Sequence, residues 1–326
     1  MRILLLMLMA LSMNALAQTQ PVHMLRLYED NDLFTLRGSD RGYTNGTRID
    51  VFYRRQKPVK SIFNNLLPKA GDSSINTYSW GAMHMMYTPA NIEATRPDPF
   101  DYPYSGSLFV SHAIHSSNPK RKYLIQTEWI IGVMGKYAYG EQLQTYVHKI
   151  TKSPEPMGWD HQLSPALLVN LNVSFEKSLL QRKPMEAVYG TSVALGTMRD
   201  GIKFYTTLRL GKMAPYFSGF IEQHAAYNNT PRLKSYLIIR PAFDIVLHNT
   251  LIEGNVFKRG IFTSDSNEQH SPAPAPVVNR FLTSADIGWV VSFEVVSASF
   301  TYKLSSPDIK GESPHAIGNI SLTLIL

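Results

Sequence analysis

The sequence predicts an all-β chain, a transmembrane, antiparallel, up-and-down β-barrel of about twelve strands with a short helix at its outer rim. Three observations point there. Apolar and polar residues alternate with period two over many long stretches, which is the signature of a strand with two unlike faces. Many of these stretches exceed the five or six residues usual for a soluble strand and match the roughly nine to eleven that cross a bilayer. Finally, the chain opens with an export signal, yet it has no later apolar run near the ~18 residues of a helical span. A soluble all-β protein is the competing fold, because each barrel strand taken singly is a weak signal.

In chain order, Arg2, the apolar run Ile3 to Leu11 and the small residues of Ala15-Leu16-Ala17 follow the pattern of a secretory signal. Residues 1–17 are therefore expected to be removed, leaving a single barrel domain over 18–326. Alternating segments lie near 23–30, 44–55, 76–88, 103–116, 121–134, 163–178, 185–198, 202–211, 235–249, 279–292, 295–305 and 315–326. Tyr123, Ile125, Trp129, Ile131 and Val133 share one face, with Gln126 and Glu128 opposite. Leu167, Val169, Leu171, Val173 and Phe175 oppose Asn170, Asn172 and Ser174. Ala298, Phe300, Tyr302 and Leu304 oppose Ser299, Thr301 and Lys303. An outer-membrane barrel turns such apolar faces toward lipid and its polar faces toward the lumen. Trp80, Tyr104, Trp129 and Trp289 are candidates for the aromatic girdles.

Composition agrees with that setting. Of all residues 44% are hydrophobic, and there is no cysteine, which excludes disulfide staples. A net charge of +7 favours an anionic membrane surface over nucleic acid for an exported chain.

Strand parity sorts the connections. With the mature N-terminus at the periplasmic rim, the connections 31–43, 89–102 and 135–162 all reach the outer rim, and they hold most of the chemically interesting residues. Short turns at 117–120 and 179–184 suit the periplasmic side, where 56–75 and 212–234 are unexpectedly long. Within the former, residues 61–68 are expected to form a short helix. The run Pro272-Ala273-Pro274-Ala275-Pro276 reads as a stiff extended loop. One convincing helix spans Glu141 to Lys152, after Gly140 and before Pro154-Glu155-Pro156. Leu143, Val147 and Ile150 form its apolar stripe, and Gln144 and His148 stack four residues apart beside it.

Two places carry candidate chemistry. The stretch Tyr28 to Arg48 gathers Glu29, Asp30, Asn31, Asp32, Asp40, Thr44 and Asn45, oxygen-rich side chains that suit a hard cation such as calcium. The same residue types are also the commonest turn formers. His148 is the best candidate for a general base, with Gln144 one turn earlier to orient it or a substrate carbonyl, and His161 is a second candidate. By helix pattern alone, a surface histidine on an amphipathic helix is the favoured reading. No G-x-S-x-G motif supports a serine nucleophile.

Four blocks give the chain a family resemblance: EDNDLFTLRGSDRGYTNGTRI (29–49), MYTPANIEATRPDPFDYPYSGSLFVS (86–111), EQLQTYVHKITKSPEPMGWDHQL (141–163) and the terminal alternating strand. On these it resembles the lipid A 3′-O-deacylase family of outer-membrane β-barrels. The resemblance implies a twelve-stranded barrel in a Gram-negative outer membrane, with its active site between the wall and a rim helix. There, calcium polarises an ester carbonyl of lipid A in lipopolysaccharide and a histidine activates water. By motif, His148 is the implied base and Gln144 its neighbour, Asn31 and Asp32 match an Asn-Asp pair, and Thr44 matches a catalytic hydroxyl. Asp32 is the implied calcium ligand, with Glu155 as a second, one residue out of register.

The chain also departs from the family pattern. Tyr102 replaces an arginine, Ser164-Pro165-Ala166 replace acidic residues, and the C-terminus is Leu326 rather than an aromatic residue. Arg96, Lys136, Lys149 and Lys152 are placed to meet lipid A phosphates or solvent. The rival readings are a barrel phospholipase and a non-catalytic channel or structural barrel.

Overall fold

The computed structural model describes residues 23–35, 41–55, 67–224, 232–256 and 276–326. The predicted signal, most of the 61–68 helix and most of the proline run lie outside these residues. Among the described residues, twelve antiparallel strands close into one barrel in which each pairs with its sequence neighbours and the last returns to the first. They are β1 (His23–Asn31), β2 (Gly42–Tyr53), β3 (Ile75–Thr88), β4 (Ser105–Asn118), β5 (Tyr123–Met134), β6 (Ala166–Arg182), β7 (Met185–Gly196), β8 (Arg199–Lys212), β9 (Leu233–Asn249), β10 (Phe281–Phe293), β11 (Val296–Ser305) and β12 (His315–Ile325). Closure leaves no unpaired edge, which a bilayer demands because lipid offers no hydrogen bonds.

Strand count and faces follow the alternation, while some ends shift for identifiable reasons. β4 and β6 begin at Ser105 and Ala166, just beyond Pro103 and Pro165, which lack the N–H that a ladder position needs. β8 begins earlier than expected, at Arg199, where a bulge at Asp200/Gly201 lets it keep pairing with β9. Outward-facing Trp80, Trp129, Leu167, Phe243 and Trp289 are exposed, as a lipid-facing band requires. Tyr104 is the exception to the girdle expectation: it is fully buried, stacks near Trp159 and donates its hydroxyl to Ile92 O at 2.9 Å.

The lumen is polar and cross-bonded. Arg48 reaches Asp50 and Glu128, each at 2.8 Å, and Arg26 takes the other Asp50 oxygen at 2.7 Å. Lys303 holds Asp30 at 2.8 Å, and Arg209 holds Glu186 at 2.9 Å. In a low-dielectric interior such charges are tolerable only when paired.

Both mouths are covered. At the rim that carries the helix, Phe109, Ile130, Met134 and Leu168 from the wall pack with Tyr102, Leu163, Leu251 and Ile309 from the connections. At the opposite rim, residues 213–224 fold inward, and a short helix α2 (Phe220–His224) seats Phe220 against Phe52 and His115 with centroids at 4.7 and 4.3 Å. Arg209, Ser117, Lys234 and Ser292 bond backbone carbonyls of this segment at 2.9–3.2 Å, and Arg54 pairs with Glu222. The length of the 212–234 connection is thus used, in its described part, to stopper the barrel. A polar cavity of about 420 Å³ remains above it, among Arg26, Glu176, Lys203, Arg240 and Asp286.

Candidate active site

The rim helix, here α1 counting from the N-terminus (Gly140–Thr151), is seated by two close approaches at glycines, one too close for a Cβ and one tight. A Cβ on Gly140 would stand 2.6 Å from the Trp159 ring, and one on Gly106 of β4 would stand 3.3 Å from Gly140 Cα. Trp159, Tyr104, Ile92 and Met86 form an apolar block with Leu143 against it. Met157 N and Leu163 N donate to Ile92 O and Tyr104 O at 2.8 and 2.9 Å, so the connections 89–104 and 135–165 behave as one body.

The orientation of α1 reverses the usual rule for an amphipathic helix. Gln144 and His148 are its buried residues, at 3% and 7% exposure, whereas Tyr146 and Ile150 stand out at 57% and 63%. A soluble helix would bury the apolar stripe. This one turns Gln144 and His148 to the wall and leaves Tyr146 and Ile150 exposed.

Between that polar side and the outer surface of β1–β3 lies a cleft of about 120 Å³, whose lining includes Glu29, Asn31, Thr44, Asn45, Gln144 and His148, with Thr47, Met86, Leu143 and Val147 beside them. The wall residues reach the outside by two routes. Glu29 and Asn31 alternate with inward-facing Tyr28 and Asp30 on β1. On β2, a register shift between Tyr43 and Asn45 breaks strict alternation. Tyr43 bonds Asp30 in the lumen at 3.0 Å, while Thr44 and Asn45 both line the cleft.

Local bonds fix each group. His148 Nδ1 lies 2.5 Å from Pro154 O. A carbonyl only accepts, so Nδ1 carries the proton and the lone pair of the neutral ring sits on Nε2. Trp159 Nε1 donates to Gln144 Oε1 at 2.7 Å, which fixes the amide with Nε2 as its remaining donor face, buried and without a bonding partner. Asn45 Nδ2 donates to Glu29 Oε1 at 2.6 Å. Asn31 Oδ1 accepts from Leu33 N at 2.8 Å, and Thr44 Oγ1 lies 2.6 Å from Thr88 Oγ1.

The structure therefore brings together Asn31, Thr44, Gln144 and His148. Asp32 is buried in the short turn directly after Asn31 and is not among the residues that line the cleft. Glu155 does not join them: it is exposed on the chain after α1 and lines no part of the cleft. His161 sits in a separate turn, Trp159–His161, outside the cleft. Among the described residues, no group of three or more His, Cys, Asp or Glu side chains converges on one point.

Several residues enter the site unannounced. Glu29 and Asn45 had belonged to the oxygen-rich stretch without a role, and Trp159 to the third block. The carbonyl of Pro154 has no sequence signal at all. Tyr102, standing where the family pattern has arginine, is buried in the lid, where its hydroxyl accepts from Asp308 N at 3.1 Å. Burial, with the nearby Asp308 carboxylate, pushes this phenol well above its usual range, so it acts as a neutral tether. Arg96, Lys136, Lys149 and Lys152 are all exposed around the helix-bearing rim.

Comparison with known proteins completes the picture. LpxR from Salmonella typhimurium superposes at a TM-score of 0.72 with 14% identity, over 92% of this chain and 99% of that one. The β-domain of the Bordetella autotransporter BrkA aligns at 0.46 with 8% identity, over 94% of this chain and 99% of that one. Among curated protein sequences none matches the chain. The family profile described as outer membrane protein LpxR matches residues 3–326, essentially the whole sequence. The chain belongs to that family of outer-membrane barrels.

Proposed function

We propose that the protein is an outer-membrane lipid A deacylase that hydrolyses the 3′-linked acyl or acyloxyacyl ester, with His148 as general base and calcium as cofactor. Family membership supports the substrate. One observation carries the mechanism: a histidine whose Nδ1 is committed to Pro154 O lines an outward cleft opposite oxygen-rich side chains. In this reading the helix-bearing rim faces outward and residues 1–17 direct export.

The wall side of the cleft offers carboxylate, amide and hydroxyl oxygens from Glu29, Asn31, Asn45 and Thr44, with Asp32 directly after Asn31 in the chain, and this donor chemistry fits a hard cation. Asp32 and the Glu29 and Asn31 oxygens are the groups assigned to hold it; Glu155 would need the chain after α1 to move. When bound, calcium supplies Lewis-acid polarisation of the ester carbonyl.

The remaining chemistry belongs to the chain itself. His148 Nε2 takes a proton from water as the water oxygen adds to the ester carbonyl carbon. The carbonyl electrons move to its oxygen, which receives the Gln144 Nε2–H donor that Trp159 has oriented. Collapse expels the sugar oxygen, which recovers the proton from His148, giving a free hydroxyl and a fatty acid. The exposed apolar side of α1 rests in the leaflet, so the acyl chain reaches the cleft sideways without leaving the membrane.

Mass spectrometry of lipid A from cells with and without the gene tests this directly. The expected result is loss of the 3′ chain mass only when the gene is present. Unchanged lipid A with hydrolysed glycerophospholipid would establish the phospholipase alternative instead. A conducting barrel gains no support, since both mouths are crossed among the described residues.

A further inference from the structure

On the outer face of β5–β7, Tyr123, Phe175 and Tyr189 form a row with ring centroids 5.9 and 6.3 Å apart. Such a row marks the level where acyl chains give way to head groups. Immediately beyond it, at the rim opposite α1, three successive chain segments present Lys120, Arg121, Lys122, Arg182, Lys183 and Lys212, all exposed. None of these six side chains has an ion-pair partner among the described residues.

Glu176 and Glu186, the acidic residues of β6 and β7, are both bonded to neighbouring side chains. Glu176 accepts from Tyr205 and Tyr216 at 2.8 and 2.7 Å, and Glu186 is paired with Arg209. Between the β6–β7 hairpin and residues 211–215 lies a groove of about 780 Å³. Its apolar part comes from Pro184, Met213 and Pro215, and its cationic margin from Arg182, Lys183 and Lys212; Glu186 also lines it but is neutralised by Arg209 at 2.9 Å. Gly211 N donates to Pro184 O at 2.8 Å, closing one side.

We infer that this groove binds an anionic glycerophospholipid of the periplasmic leaflet, its phosphate among Arg182, Lys183 and Lys212 and its acyl chains along the aromatic row. The inference rests on the outward assignment of the α1 rim given above, but not on the esterase chemistry. A phosphodiester supplies the charge that three unpaired cations lack, and the adjoining apolar surface suits a lipid better than a free ion. Because residues 211–215 lead directly into the stopper, the lipid also braces the segment that closes this mouth.

Native mass spectrometry of the detergent-purified full chain, titrated with phosphatidylglycerol or phosphatidylethanolamine, decides the matter. Phosphatidylglycerol is expected to be retained and phosphatidylethanolamine lost under the same activation. The variant Arg182→Gln/Lys183→Gln/Lys212→Gln should weaken phosphatidylglycerol binding by about tenfold or more, with heat-modifiable mobility intact. Should that variant misfold, Lys120→Gln/Arg121→Gln/Lys122→Gln, on a turn outside the groove, should lower retention by about two- to threefold. His148→Ala protein must give the native binding curve, which separates this site from the deacylase reading. Equal retention of both lipids, full competition by inorganic phosphate, native-like binding by a folded triple variant, or loss of binding in Lys149→Gln/Lys152→Gln at the other rim would each overturn the inference.

Discussion

The two faces of β1 make opposite use of the same kinds of residue. Inward, Asp30 is 2% exposed and saturated: Lys303 Nζ, Tyr28 OH, Tyr43 OH and Asn319 Nδ2 all bond its carboxylate within 2.8–3.0 Å. Outward and one residue away, Glu29 and Asn31 bond only neighbours on the wall and keep one side toward the cleft. A saturated carboxylate in a closed lumen stabilises the barrel but has no lone pair to spare for a ligand. One at the border of protein and lipid keeps coordinating capacity, and the bilayer brings it only one class of substrate. Under the proposed function, the chemistry lies on the face where charge is hardest to keep, because that is the face a lipid substrate can reach.

This contrast can be broken in four ways, in descending order of expected effect. His148→Ala should lower deacylation by about a hundredfold to ten-thousandfold, read as released 3′ chain by mass spectrometry, while the folded barrel keeps its heat-modifiable mobility. Retained turnover would remove His148 as the base. Chelation should abolish activity, and added calcium should restore it. Full turnover in chelator would confine Asp32 to a structural part.

The inward face should respond in the other currency. Asp30→Asn leaves the half-buried Lys303 against a neutral amide, and breaking such a pair costs up to about 3 kcal/mol, the lower end for a buried pair. The expected outcome is a lower unfolding midpoint in urea with turnover per folded molecule nearly unchanged. If turnover collapsed while the midpoint held, the division between the faces would be wrong. Trp159→Phe keeps the packing around Tyr104 but removes the donor to Gln144 Oε1, which frees the amide to rotate. A fall of about tenfold in kcat with little change in KM is expected, in keeping with the loss of one positioned hydrogen bond.

Much of the architecture was legible beforehand. Alternation named the strands and their lipid faces, because a side-chain period of two leaves no other way to keep Gln126 and Glu128 out of the bilayer. The helix was found from its breakers, and His148 and Gln144 from their spacing on it. What misled was local pattern taken without its environment. Leu143, Val147 and Ile150 read as one apolar stripe, yet they part company: Leu143 and Val147 line the cleft while Ile150 is exposed, because packing against the wall and not the pattern decides which apolar residues are covered. Tyr104 looked like an interfacial aromatic, but the third connection covers it with Trp159.

The sequence by itself determined the barrel, its strand number and which polar side chains were candidates for the cleft, since periodicity and residue type are local properties. Only the tertiary structure decided which of them meet. The bulge on β2 turns Thr44 outward against alternation, a backbone carbonyl six residues after His148 fixes its tautomer, and an indole on a different turn orients Gln144. Those are contacts between segments distant along the chain or between groups without a residue-type signature, and such contacts exist only once the strands have closed and the helix has docked.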